Sequence, residues 1–252
     1  MREGRAVRDA VATVVLSLVL GLVLTYSTGA NLAPSLMAIL AGLLIPVLAA
    51  VSVMRRTPMA TTAADRITLF RGVLAGGCAT LVALSLLGDL PSRSWTLFLL
   101  ALAAFVLDGV DGWLARRTGT ASAAGGRLDM ESDAAFFLVL SVGLVPVVGG
   151  WVLGIGAMRY LFWLAARWRP ALREPLAFSH FRRITAGLQG GVLVAALLPV
   201  LPPHVGVVAA SASLMLLIIS FGKDTLTLEL AHAPGIHRST EVGDRHVRTP
   251  PR

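Results

Sequence analysis

DGVDGWLARRTGTASAAGGRLDMESD, residues 108–133, is the stretch around which the rest of the chain falls into order. It carries four aspartates in two pairs. Asp108 and Asp111 are three apart, and Asp129 and Asp133 four apart, so a helix puts each pair on one face. The apolar run Trp95 to Leu107 leads into the first pair, and Ala134 to Val148 follows the second. Carboxylates joined to membrane-type helices are costly unless something neutralises them. A divalent cation does so, and ligands that are all oxygen favour Mg²⁺, Mn²⁺ or Ca²⁺ over zinc. The bland alternative is an acidic loop between two helices.

The fixed positions read Asp108-x2-Asp111-Gly112-x2-Ala115-Arg116, then eight residues, then Gly125-x3-Asp129-x3-Asp133. This pattern resembles the signature of the CDP-alcohol phosphatidyltransferase family at all eight fixed positions, with the family's spacing. The resemblance implies transfer of a phosphatidyl-type group from a CDP-linked lipid donor, CDP-diacylglycerol above all, to an alcohol with release of CMP. It implies two Mg²⁺ or Mn²⁺ ions. Asp108, Asp111 and Asp129 would be metal ligands, with Asp133 contributing to the second metal and serving as candidate general base. Gly112, Ala115, Arg116 and Gly125 would lie against the CDP moiety. Gly112 and Ala115 also suit close helix packing, and both roles can hold together.

A second segment, Asp65-x2-Thr68-x2-Arg71, resembles the opening of the family's catalytic core. There these positions approach the nucleotide's diphosphate, so Asp65, Thr68 and Arg71 join the donor-binding candidates. The alternative is an interfacial anchor with Arg71 snorkelling to the headgroups, although Arg71 sits a full turn inside an apolar run. For the acceptor, an alcohol that the resemblance allows to be phosphorylated, the candidates are Arg159 and Arg183. Family members use basic residues of the later helices for that phosphate. HFRRITAGLQGG (residues 180–191) matches the family only loosely, and Tyr160 stands where an acidic residue often follows the arginine. A snorkelling or ion-pair role for Arg159 stays open. For Arg127 and Arg117 a topological role is as good a reading as substrate contact.

The whole chain fits a membrane setting. Its 252 residues are 56% hydrophobic and 14% charged, with mean hydropathy +0.76, unlike a soluble domain. Cys78 is the only cysteine, which excludes an internal disulfide. The net charge of +8 comes almost wholly from arginine, Lys223 being the only lysine. In so apolar a chain that charge meets anionic lipid headgroups rather than nucleic acid.

Apolar runs predict an all-α, polytopic helical bundle of about eight membrane spans: Ala10–Tyr26, Pro34–Val53, Ile67–Gly88, Trp95–Arg116, one beginning near Asp129, Trp151–Trp168, Ile184–Leu201 and His204–Gly222. A Gly/Ala/Ser/Thr loop is expected over Thr118 to Leu128, so that the fifth helix's N-terminal amides face the carboxylates. The first two spans carry no charge and are read as an accessory unit, residues 1–56, ahead of a six-helix core, 57–222. The tail, 223–252, is basic and without apolar periodicity, with disorder expected beyond a short helix. Its His232, His237 and His246 are too irregularly spaced for a metal site. Arginine-bearing segments alternate with nearly uncharged ones, so the positive-inside rule puts both termini and all four aspartates in the cytoplasm. The expected location is the cell (inner or plasma) membrane, multi-pass, and a homodimer is compatible with it.

Two rival classes are weaker. An aspartate-dependent membrane prenyltransferase should carry its acidic motifs in separate halves, whereas these fall within 26 residues. A transporter should show repeated halves with polar breaks in corresponding helices, and the sequence has no such repeat.

Overall fold

The computed structural model describes residues 2–57, 59–117, 119, 123–169 and 180–232, and at positions 2, 111–116, 123, 180–183, 224 and 227–232 the backbone alone. Among them run eight α-helices and no strand. They are α1 (Arg2–Thr28), α2 (Leu32–Met54), α3 (Ala63–Leu86), α4 (Trp95–Arg117), α5 (Ala123–Val148), α6 (Leu153–Trp168), α7 (His180–Ala196) and α8 (Pro203–His232). A single 3₁₀ turn, Gly150–Val152, joins α5 to α6. The polytopic bundle expected from the apolar runs is therefore present.

Five of these helices (α1, α2, α3, α5 and α8) are long and apolar enough to cross a membrane. Among the described residues α4 and α7 carry shorter apolar stretches, Trp95–Val110 and Ile184–Ala196. Helix α6 has 16 residues, about 24 Å at the α-helical rise, against the ~30 Å of a hydrocarbon core.

Helix α3 is the axis of the bundle. In its most apolar window 78% of residues are buried, against 28–44% in the other candidate spans. It packs against α1, α2, α4 and α5. Both of its ends are fixed by local chemistry. At the start, the Thr62 hydroxyl accepts from the Asp65 amide (3.1 Å) while Asp65 Oδ2 accepts from the Thr62 amide (2.8 Å), a reciprocal capping box. At the finish, Gly88 takes φ +89 and its amide donates to Ser85 O, while Asp89 N donates to Leu84 O. That pair of bonds is the Schellman arrangement, which needs a residue without a Cβ penalty at positive φ.

Small residues set the spacing of the helices. A Cβ on Gly42 of α2 would come 2.8 Å from Gly76 O of α3 and collide with Thr80 Oγ1. A Cβ on Gly156 of α6 would meet Leu138 Cα of α5 at 2.6 Å. Close approach of this kind replaces the hydrophobic driving force that a lipid environment cannot supply.

Two expectations change. Helix α5 begins at Ala123, not near Asp129, because Leu128 (2% exposed) is drawn into a small core with Ala49, Val53 and Leu69. Asp129 thus lies more than a full turn inside the helix, where N-terminal amides do not offset its charge. The first helix also starts earlier than its apolar run, so it includes Asp9. Asp9 Oδ2 accepts from Thr61 Oγ1 (2.6 Å) and from Arg66 Nε (2.9 Å), tying α1 to the segment that opens α3. At the other terminus α8 runs on to His232, and the rest of the tail, with His237 and His246, lies outside the described residues.

Candidate functional site

Helices α3, α4 and α5 converge on one cluster. Asp108 comes from α4, Asp129 and Asp133 from successive turns of α5, and Arg71 from α3. One carboxylate oxygen from each aspartate can be chosen so that all three lie within 4.8 Å of one another, close enough to share a metal ion. Arg71 Nη2 meets Asp129 Oδ1 at 2.6 Å and Asp133 Oδ1 at 2.8 Å, and Nη1 is paired with Asp108 Oδ1.

Exposure gives the cluster a direction. The Arg71 side chain is 3% exposed, whereas the three aspartates are 28–35% exposed. The guanidinium lies beneath the carboxylates, whose outer sides stay open. Among the described residues one cation faces three carboxylates, which leaves the cluster short of positive charge. Such a set is stable only with further positive charge close by. Hard carboxylate oxygens with an open side suit Mg²⁺ or Mn²⁺, so these residues fit the ion that the spacing called for.

The other sequence candidates divide. Thr68 and Asp65 lie on α3 with Arg71, each 5% exposed, at steps of three residues. Asp65 stands two turns from the cluster and is engaged locally. Its Oδ1 accepts from Arg56 Nη1 at 2.9 Å, and its Oδ2 from Thr62. Gly125 lies in the first turn of α5. Arg159 of α6 is exposed and donates to Met130 Sδ at 3.5 Å, which brings it beside the residue that follows Asp129. The side chains of Asp111, Gly112, Ala115, Arg116 and Arg183 lie outside the described residues, although their backbones belong to α4 and α7.

Sequence reasoning offered Arg71 as a donor contact or a snorkelling anchor, and missed it as the counter-ion of the aspartates. The signal was available. Four aspartates in one short stretch require a cation, and Arg71 is the only basic residue between Ile67 and Gly88. The partnership of Arg56 with Asp65 had no comparable signal, since it depends on how the chain leaves α2.

Comparison with known proteins brings an independent line of support. No curated protein and no solved structure matches the chain. A family model, CDP-alcohol phosphatidyltransferase, matches residues 61–221. That interval begins at the capping box of α3, takes in every candidate site residue named above, and leaves α1 and α2 outside. With well over half of its length matched, and three of the motif's four aspartates gathered in one cluster, the chain belongs to the CDP-alcohol phosphatidyltransferase family.

Proposed function

We propose that this membrane enzyme transfers a phosphatidyl-type group from a CDP-linked lipid, CDP-diacylglycerol in the first instance, to an alcohol, releasing CMP. The observation that carries the reading is the open triad of Asp108, Asp129 and Asp133 on a buried Arg71. Asp111 completes the metal-binding set by its place in the motif. Mg²⁺ or Mn²⁺ bound there, as two ions, would neutralise the donor's pyrophosphate and polarise the oxygens of the displacement.

The residues of the chain then divide the work. Asp133 takes the proton of the acceptor hydroxyl as the hydroxyl oxygen bonds to the lipid-side phosphorus. The bond from that phosphorus to the bridging pyrophosphate oxygen breaks, and CMP leaves with the electron pair. Arg71 has the planar fork that suits a diphosphate and exchanges a carboxylate partner for a donor oxygen. Arg116, Thr68 and Asp65 complete the donor side, Asp65 by fixing the first turn of α3. Gly112, Ala115 and Gly125 let the nucleotide lie close to the helix backbones. Arg159 and Arg183 hold the phosphate of a phosphorylated alcohol.

The proposed arrangement places residues 57–222 as the catalytic core, 1–56 as the accessory unit and 223–252 as a cytoplasmic tail. The site and both termini face the cytoplasm, where the soluble acceptor is available. The test is CMP release by the purified chain from CDP-diacylglycerol with a panel of alcohols, phosphorylated and not. Release that depends on Mg²⁺ or Mn²⁺ and stops with chelator is expected. No CMP from any alcohol with either ion present would overturn the reading.

A further inference from the structure

A cavity of about 890 Å³ opens on the other side of α5 from the carboxylates, between α2, the start of α3, α5 and Tyr160 of α6. Its α2 wall lies outside the matched family core. The lining is graded. Arg55, Arg56, Asp65, Arg127 and Glu131 surround its polar end, and Ile45, Leu48 and Ala49 line it further along α2. From Arg55 to Ile45 is ten residues of sequence, about 15 Å at the helical rise, or half the thickness of a hydrocarbon core.

The polar end holds three guanidinium groups and two carboxylates, which leaves one positive charge over. Arg56 locates where that charge is wanting a partner. Its Nη1 is taken by Asp65 at 2.9 Å, while its Nη2 is buried with no hydrogen-bond partner among the described residues. A buried, charged donor left unsatisfied is destabilising, and a single phosphodiester would both satisfy it and balance the charge. A soluble phosphate would account for the basic end and leave the apolar wall bare. A lipid accounts for both.

From these observations we infer that the cavity is a binding site for an anionic phospholipid. The phosphate sits on Arg56 with Arg55 and Arg127 beside it, and an acyl chain follows α2 past Leu48. The accessory helices thereby attach a lipid next to the helix that carries Asp129 and Asp133. This inference does not rest on the reaction proposed above, and its test reads lipid binding rather than CMP release.

The full chain would be purified in mild detergent, stripped of lipid, and titrated with dioleoylphosphatidylglycerol, dioleoylphosphatidylcholine or inorganic phosphate. Retained lipid is counted by native mass spectrometry and affinity by thermal shift. Tight, saturable binding of phosphatidylglycerol over phosphatidylcholine is expected. The double variant Arg55→Gln/Arg127→Gln keeps the Arg56–Asp65 pair and should weaken that binding at least tenfold, since each lost charge-assisted contact is worth about that factor or more. Leu48 is largely exposed, so Leu48→Trp narrows the apolar wall without entering the core. It should weaken the lipid and leave inorganic phosphate unaffected. Equal binding of the two lipids, or wild-type affinity in the double variant, would overturn the site. Inorganic phosphate competing at the affinity of the lipid, with Leu48→Trp without effect, would overturn the lipid in favour of a soluble phosphate.

Discussion

Two arginines, Arg56 and the buried Arg71, meet aspartates in opposite ways. Arg56 faces one carboxylate, Asp65, which is also held by Thr62 in the capping box of α3. Arg71, two turns further along, faces three carboxylates from two other helices. The first pair matches one cation with one anion: Asp65 is 5% exposed, and its bonds from Thr62 and Arg56 fix the first turn of α3. The second is short of positive charge and open, with its aspartates about a third exposed. A balanced pair is what a fold needs at that point. An unbalanced one, built by three helices at once, stores an affinity for cations that folding alone does not require.

The contrast is broken most directly at the open cluster. Asp129→Ala is expected to abolish metal-dependent CMP release, a loss of a thousandfold or more, and to leave the thermal unfolding of the protein near that of wild type or above it. Among the described residues three carboxylates share one cation, so removing one relieves repulsion and the change falls on function rather than on the fold. CMP release within tenfold of wild type, measured with either ion at saturation, would take Asp129 out of the site.

Arg71→Gln comes next and turns on stability. It removes the only described cation from among three carboxylates, at an expected cost of about 3–5 kcal/mol for breaking a buried ion set. Divalent cations should restore part of that loss, because they supply the missing charge. The measurement is the melting temperature with and without Mg²⁺ or Mn²⁺. The ion-induced rise should be larger in Arg71→Gln than in wild type, and equal rises would mean that the carboxylates do not hold the ion.

The two regions were unequally legible in the sequence, for a physical reason. The aspartates of the cluster could be read from spacing because helix periodicity fixes which residues share a face, and the apolar runs on either side fixed the helices. The carboxylates of Asp108, Asp129 and Asp133 accordingly meet, and the all-helical membrane bundle follows from the same runs. The Arg56–Asp65 pair was not legible. Arg56 and Asp65 are linked through the non-helical passage between α2 and α3, where no period operates. The start of α5 was misjudged for a related cause. The Gly/Ala-rich segment before Asp129 reads as a loop by composition, yet burial of Leu128 extends the helix back to Ala123. Tertiary packing overrode propensity there.

Arg159 sharpens the comparison from a third position, since it is exposed and its described contact is the sulfur of Met130 rather than a carboxylate. An arginine placed so close to the cluster without an acidic partner in that contact is suited to an incoming anion. With a phosphorylated alcohol established as acceptor, Arg159→Ala should raise the apparent KM for it roughly 10- to 150-fold, the equivalent of one charge-assisted phosphate contact of about 1.5–3 kcal/mol. The value of kcat should change little. An unchanged KM would return Arg159 to a purely interfacial role.

The smallest effect is expected at the capped start of α3, and it tests whether the division between the two regions is real. Thr62→Ala removes the hydroxyl that accepts from the Asp65 amide, and with it half of the capping box. Loss of an N-cap side chain costs about 0.5–2 kcal/mol. Asp65 keeps its bond to Arg56, so the change should be confined to the first turn of α3 and amount to a small fall in melting temperature. Two features separate it from Arg71→Gln. The fall should not be recovered by Mg²⁺ or Mn²⁺, because no unbalanced charge is created, and kcat for CMP release should stay within about twofold of wild type, because a shift at the capped turn is two turns removed from the carboxylates. Recovery by a divalent ion, or a loss of kcat approaching that of Asp129→Ala, would mean that the start of α3 and the aspartate cluster act as one unit. Arg56 and Asp65 would then have to be counted with the catalytic residues rather than with the scaffold that holds them.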